Sequence, residues 1–145
     1  MYFVDQKKIE EILSYMDQIL EELASQSYNS FSEKLTLERV VHVLIESIID
    51  VGNLMIDGFI MRDPGSYEDI IDILVDEKVI PKDDENNYKS IVGLRKKLVK
   101  DYWAIDHSEL SKVVKENRKT LDRFSKHIHT YLKNELGVAN AFMPD

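Results

Sequence analysis

The densest grouping of chemically capable side chains in the sequence is Gly93-Leu94-Arg95-Lys96-Lys97-Leu98-Val99-Lys100-Asp101-Tyr102-Trp103. A guanidinium and three ammonium groups this close suit an anion such as a phosphate, Arg95 by planar two-point contact and Lys96, Lys97 and Lys100 as point charges. At 100° per residue on an ideal helix, Val99 and Tyr102 project within about 40° of Arg95, whereas Lys100 lies about 140° away. Arg95 and Tyr102 are therefore expected on one face beside Leu98 and Val99. A solvated basic run is not arranged that way, because Arg is seldom buried without a partner. Trp103, the sole tryptophan, is expected to pack in the core or against a second copy of the chain.

Asp50 and Asn53 form a second candidate, two polar residues one turn apart in an otherwise apolar segment. Burying a carboxylate is costly unless it is paired, so the two suit a site, a hydrogen bond to a neighbouring helix or an exposed seam. Gly52, between them, would admit a close neighbour. The four histidines do not gather: His42 sits between Val41 and Val43, His107 precedes the last helix, and His127 and His129 are two residues apart. Helical residues at that spacing face about 200° apart, so these two do not chelate one ion, and no metal or cofactor is expected. There is no Gly-rich phosphate loop and no nucleophile-elbow motif. The absence of cysteine removes disulfides, thiolate metal sites and a Cys nucleophile.

The elements that must position these groups are helical throughout, since apolar residues recur at three- and four-residue steps and no segment sustains the alternation of a strand. The first helix should open at Asp5 and bury Ile9, Ile12, Leu13, Met16, Ile19, Leu20 and Leu23, with residues 24–33 as a turn. A second, beginning near Thr36, is apolar over so much of its circumference that it should be the central helix. It should stop before Arg62-Asp63-Pro64-Gly65. Ser66 should cap a short third helix carrying Tyr67, Ile70, Ile71, Leu74 and Val75. A fourth is expected over about 83–102 and a fifth from His107-Ser108 to Leu136, with the tail 137–145 loose. The expectation is one all-α domain over residues 1–136, an up-and-down bundle of four long helices and one short one.

With 145 residues and 43% hydrophobic composition, the chain suits a single core. It has no apolar run long enough to span a bilayer and no secretory leader, which reads as cytoplasmic with no membrane association. The net charge of -8 hides an asymmetry: residues 1–85 hold 7 basic against 20 acidic groups, and residues 86–136 hold 12 against 6. Such a protein is not steered to bulk nucleic acid by its overall field, and no DNA partner is expected, yet its basic third can hold a phosphate at short range.

The run ESIIDVGNLMI, then MRDPGSYEDIIDILVDEKVIP, then GLRKKLVKDYWAID resembles, in that order and spacing, the HepT-like branch of the HEPN (higher eukaryotes and prokaryotes nucleotide-binding) superfamily of bacterial helical proteins, over about residues 5–136. The resemblance implies a homodimeric toxin with a metal-independent ribonuclease site at the cleft between protomers, acting on RNA. It also implies a cognate minimal nucleotidyltransferase antitoxin that neutralises the toxin by transferring AMP to a tyrosine. The family signature is an Arg, then four to six intervening residues, then a His, commonly followed two positions later by a Tyr. Arg95 matches the Arg and Tyr102 the Tyr, while Lys100 occupies the position of the His and Lys96 that of a frequent Asn. Asp50 and Asn53 match polar positions near the cleft.

The lysine matters chemically. Cleavage by the ribose 2′-OH needs a base for that hydroxyl, an acid for the leaving oxygen and a cation for the developing phosphorane charge. Histidine serves the first two roles and Arg95 the third, whereas an ammonium protonated at neutral pH binds phosphate or donates a proton but is a poor base. Three readings follow: an active ribonuclease in which Lys100 or a substitute such as His107 serves, a non-catalytic module that binds RNA or nucleotide, and a structural helical dimer.

Overall fold

The computed structural model describes residues 3–137 and 140–144. Asp5 caps α1 (Gln6–Ser25) by accepting from the Lys7 N–H at 2.9 Å, and Ile9, Leu13, Met16 and Leu20 form its buried stripe. The second helix, α2 (Phe31–Gly58), starts five residues before the expected Thr36. Its start is set by a capping box inside the stretch expected as a turn. Ser30 Oγ accepts from the Glu33 N–H at 3.1 Å, and the Glu33 carboxylate accepts from the Ser30 N–H at 2.8 Å, so two orphan donors are satisfied reciprocally. Thr36 lies inside the helix and donates to the Ser32 carbonyl.

α2 is the central helix, touching α1 and most of the elements that follow. Leu44, Ile45, Ile48 and Val51 are fully enclosed. Gly52 allows the tight approach foreseen for it, because a Cβ there would collide with the Ile70 side chain of α3 (Tyr67–Asp76). Ser66 caps α3 as expected, accepting from the Asp69 N–H at 3.0 Å. Asp69 in turn accepts two bonds from Arg62, at 2.7 and 2.8 Å, and one from the Gly65 N–H. These bonds hold its carboxyl well below the usual range.

The two long helices expected in the C-terminal half are each broken in two. After a single 3-10 turn (Lys82–Asp84), the expected 83–102 helix divides into α4 (Glu85–Val92) and the short α5 (Arg95–Lys100). At the division the backbone ladder tightens, the Leu94 N–H bonding the Ile91 carbonyl at 3.1 Å. The last helix divides into α6 (His107–Glu116) and α7 (Arg118–Glu135) at Asn117. That buried side chain donates to the Val113 carbonyl and accepts from Asn87 of α4, both at 2.7 Å, so the break is pinned by a side chain while the backbone ladder runs on through Asn117.

The tail also differs from expectation where it is described. The Val4 N–H bonds the Ala141 carbonyl, the Met143 N–H bonds the Val4 carbonyl, and the Ala141 N–H bonds the Gly58 carbonyl. Phe142 is 6% exposed and packs edge-on to Phe59. Residues 140–144 are thus docked rather than loose, held by backbone hydrogen bonds and a buried aromatic ring. The architecture is the expected all-α bundle, with seven α-helices among the described residues. None of them is long and apolar enough to cross a membrane.

Candidate functional site

Arg95 is the first residue of α5, and its guanidinium reaches back to α2. Nε donates to Glu46 Oε1 at 2.6 Å, and the cation lies 4.5 Å over the ring of Tyr67 on α3. Three elements therefore fix one guanidinium. Glu46 pushes its proton affinity further up, so the group is a permanent cation. Nη1 and Nη2 have no hydrogen-bond acceptor among the described residues, and 27% of the side chain is open to solvent. This leaves the outer fork free for the two oxygens of a phosphate.

The same Glu46 oxygen lies 3.3 Å from Nε2 of His42, one turn earlier on α2. One carboxylate therefore gathers an imidazole and a guanidinium. Its outer side opens on a groove of about 440 Å³ shared with Tyr15, Arg39, Ser47 and Asp50. Partial desolvation, reinforced by Glu46, raises the proton affinity of the Asp50 carboxyl against the opposing pull of Lys8 and Arg95. Asp50 thus belongs to the electrostatic surroundings of Arg95. Asn53 lies half-buried farther along α2.

Three expectations about the basic segment need correcting. Arg95 and Tyr102 do not share a helix face, because α5 ends at Lys100 and Tyr102 falls in the turn closed by the Ala104 N–H on the Asp101 carbonyl. The residue stacked on Arg95 is Tyr67. Trp103 is not a core residue: it is 74% exposed, beside a Tyr102 that is 67% exposed. α5 buries none of its residues. Lys96 and Lys100, one turn apart on α5, are exposed and have no ion-pair partner among the described residues, whereas Lys97 reaches Glu109 at 3.4 Å.

The histidines divide by environment. His107, considered as a substitute base, has Nε2 2.8 Å from Glu38, as His42 has Nε2 3.3 Å from Glu46; the difference is that Glu46 also holds Arg95. His129 pairs with Glu10 on α1. Burial lowers the pKa of His127, whose Nδ1 is enclosed without a hydrogen-bond partner among the described residues. His42 is the one in the neighbourhood of Arg95.

Glu46, His42 and Tyr67 were not assigned to the site from the sequence. The available signal was the polar spacing Glu38, His42, Glu46, Asp50 in an otherwise apolar helix. Steps of four keep such residues near one side. Their convergence on Arg95 depends on how α5 docks against α2, which periodicity does not encode.

A family model described as "Ribonuclease HepT-like" matches residues 6–128, a span containing His42, Glu46, Arg95, Lys100 and Tyr102. The chain belongs to the HepT-like ribonuclease family. This HepT-like chain is 48% identical over 143 residues to a Bacillus subtilis (strain 168) protein named "Putative RNase YutE", covering 98% of this chain and 99% of the other. The solved structure of YutE from Bacillus subtilis, described as a cytosolic protein, superposes with a TM-score of 0.91 at 48% identity and covers 98% of this chain and 100% of that one. A toxin-antitoxin structure with AMP-PNP superposes with a TM-score of 0.75 at 20% identity, covering 84% and 97%. That likeness is one of fold.

Proposed function

We propose that this protein is the toxin of a toxin-antitoxin pair, a cytoplasmic, metal-independent endoribonuclease that works as a homodimer with its site in the cleft between protomers. The observation that carries the proposal is the guanidinium of Arg95, held at Nε by Glu46 and over Tyr67 while its outer fork stays free. Family membership and the name of the Bacillus subtilis relative support the choice of RNA as substrate.

In this reading the outer nitrogens of Arg95 bind the non-bridging oxygens of the scissile phosphate and meet the charge that develops there. His42 takes the proton of the ribose 2′-OH as the O2′–P bond forms. Lys100, an ammonium, donates to the 5′-oxygen as the P–O5′ bond breaks. The products are a 2′,3′-cyclic phosphate and a 5′-hydroxyl, and proton exchange with solvent restores both side chains. Asp50, Asn53, Lys96 and Lys97 help to hold the strand.

The exposure of Tyr102 supports neutralisation by its modification. A nucleotidyltransferase antitoxin transfers AMP from ATP: the phenolic oxygen attacks the α-phosphorus, pyrophosphate leaves and the proton passes to solvent. The added anion then competes with RNA for the cations nearby.

The test is cleavage of a mixed RNA in EDTA by unmodified protein, with products read by electrophoresis and mass spectrometry. Expected are cyclic-phosphate ends, a loss of roughly 10²- to 10³-fold in Arg95→Ala with the fold intact, and a comparable loss in His42→Ala. Cleavage that persists unchanged in Arg95→Ala overturns the reading. A second reading, a non-catalytic RNA- or nucleotide-binding module, is favoured by Lys100 standing where the family signature has a His. It is the correct one if the wild type is inert and Lys100→His gains activity.

A further inference from the structure

Several large apolar side chains stand in solvent, and their surroundings differ. Phe31, Leu35 and Tyr15 are exposed on α1 and α2, within the part of the chain that holds 20 acidic against 7 basic residues. That field repels a polyanion. Tyr102 and Trp103 are the exposed aromatic pair in the basic part. Their rings meet edge to face, with centroids 5.4 Å apart and an interplanar angle of 85°. A perpendicular pair leaves a broad ring face open, and each ring loses few rotamers when it is ordered. Trp103 also forms the rim of a cleft of about 210 Å³ whose wall includes Leu94, Leu98 and Ile105. Just before the pair in sequence, α5 offers the unpaired ammonium groups of Lys96 and Lys100 and begins at Arg95. Three carboxylates also line the cleft: Glu109 is engaged by Lys97 and Asp106 caps α6, while Asp101 lies between Lys100 and Tyr102.

We propose that Trp103 is a stacking platform for an unpaired nucleobase of single-stranded RNA, with Lys96 and Lys100 contacting the phosphates that flank it. The assignment deepens the ribonuclease reading, on which it rests for the identity of the ligand. A π-face beside mobile cations recognises a base without reading its edges, so the platform favours unpaired over paired RNA and large bases over small ones. It also gives the exposure of Trp103 a use that core packing does not.

Trp103 is the only tryptophan, so its fluorescence reports on this site alone. The probes are 2′-O-methyl oligoadenylate and oligouridylate, which lack the attacking hydroxyl, single-stranded and annealed to complements. Single strands should quench the emission, adenylate more than uridylate, and duplexes should quench it little. Binding followed by a label on the oligonucleotide should weaken roughly 5- to 150-fold in Trp103→Ala and recover most of the loss in Trp103→Phe. On cleavable RNA, Trp103→Ala should raise KM and leave kcat nearly unchanged.

Equal quenching by duplex and single strand, or unchanged affinity in Trp103→Ala, overturns the platform. So does emission in the free protein that is already blue-shifted and shielded from acrylamide in a concentration-dependent way, which would place a second copy of the chain on the indole. Quenching without any cleavage leaves the platform standing and removes the ribonuclease reading, and cleavage without quenching does the reverse.

Discussion

The helices on either side of Arg95 make opposite use of their residues. α2 runs 28 residues and encloses half of them, while α5 has six residues and buries none. Yet the cations, and the turn that carries Tyr102 and Trp103, come from α5 and its exit, and α2 contributes Glu46 and His42 from one narrow side. Position is guaranteed by the element that the core needs, and chemistry is delegated to one that the core can do without. A short exposed helix can change residues such as Lys100 at little structural cost.

Several measurements would break or sharpen that contrast. The largest effect is expected from Leu44→Ala, which opens a cavity at a fully enclosed position of α2 and should cost about 2–5 kcal/mol in denaturant unfolding. The matching truncation on α5, Val99→Ala, removes an exposed side chain and should stay within about 0.5 kcal/mol. Similar losses at the two positions would end the contrast. Next is Gly52→Ala, where the added methyl meets Ile70; overpacking of this kind should cost about 1–3 kcal/mol and lower the thermal midpoint. Ser30→Ala removes one half of the capping box and should cost about 1 kcal/mol.

Glu46→Gln should change stability little, by at most about 1 kcal/mol, because the ion pair with Arg95 is partly exposed. It should nevertheless lower RNA cleavage at saturating substrate, since the guanidinium loses its charged anchor. If it weakens folding strongly and spares cleavage, Glu46 belongs to the scaffold alone.

Acid titration adds a scaffold test at the entrance to α3. Arg62 and the Gly65 N–H hold the Asp69 carboxyl well below its ordinary range. A depressed folded value means that the contribution is fully present above the unfolded value, about 3.9, and is lost as pH falls toward the folded one. Unfolding curves of wild type and Asp69→Asn should therefore differ at neutral pH and converge in strong acid. Curves that stay parallel would show that ionisation of Asp69 does not act through this linkage.

Local chemistry was legible where one residue decides it. Asp5 and Ser66 cap their helices by their own side chains, and Gly52 marks a close approach because nothing larger fits. The break at Asn117 was not legible, since it depends on Asn87, 30 residues away, supplying the partner. The Ser30 box was hidden because the same Ser, Asn and Glu residues that start a helix also favour turns. In the site, Arg95 stood out by type and by resemblance, but the triad with Glu46 and His42 exists only once α5 lies against α2. The expected pairing with Tyr102 failed because α5 stops two residues short of it.

The docking of Phe142 has a consequence for biosynthesis. Val4, near the beginning of the chain, completes its hydrogen bonds only with Ala141 and Met143, and the end of α2 at Gly58 is closed by the same strap. A Cβ at Gly58 would fall within the Phe142 ring, so that ring is fitted to its seat. Because synthesis proceeds from the N-terminus, this latch cannot form until residues 141–143 have left the ribosome. A nascent chain that has not yet reached them carries α2 with its Gly58 end unlatched.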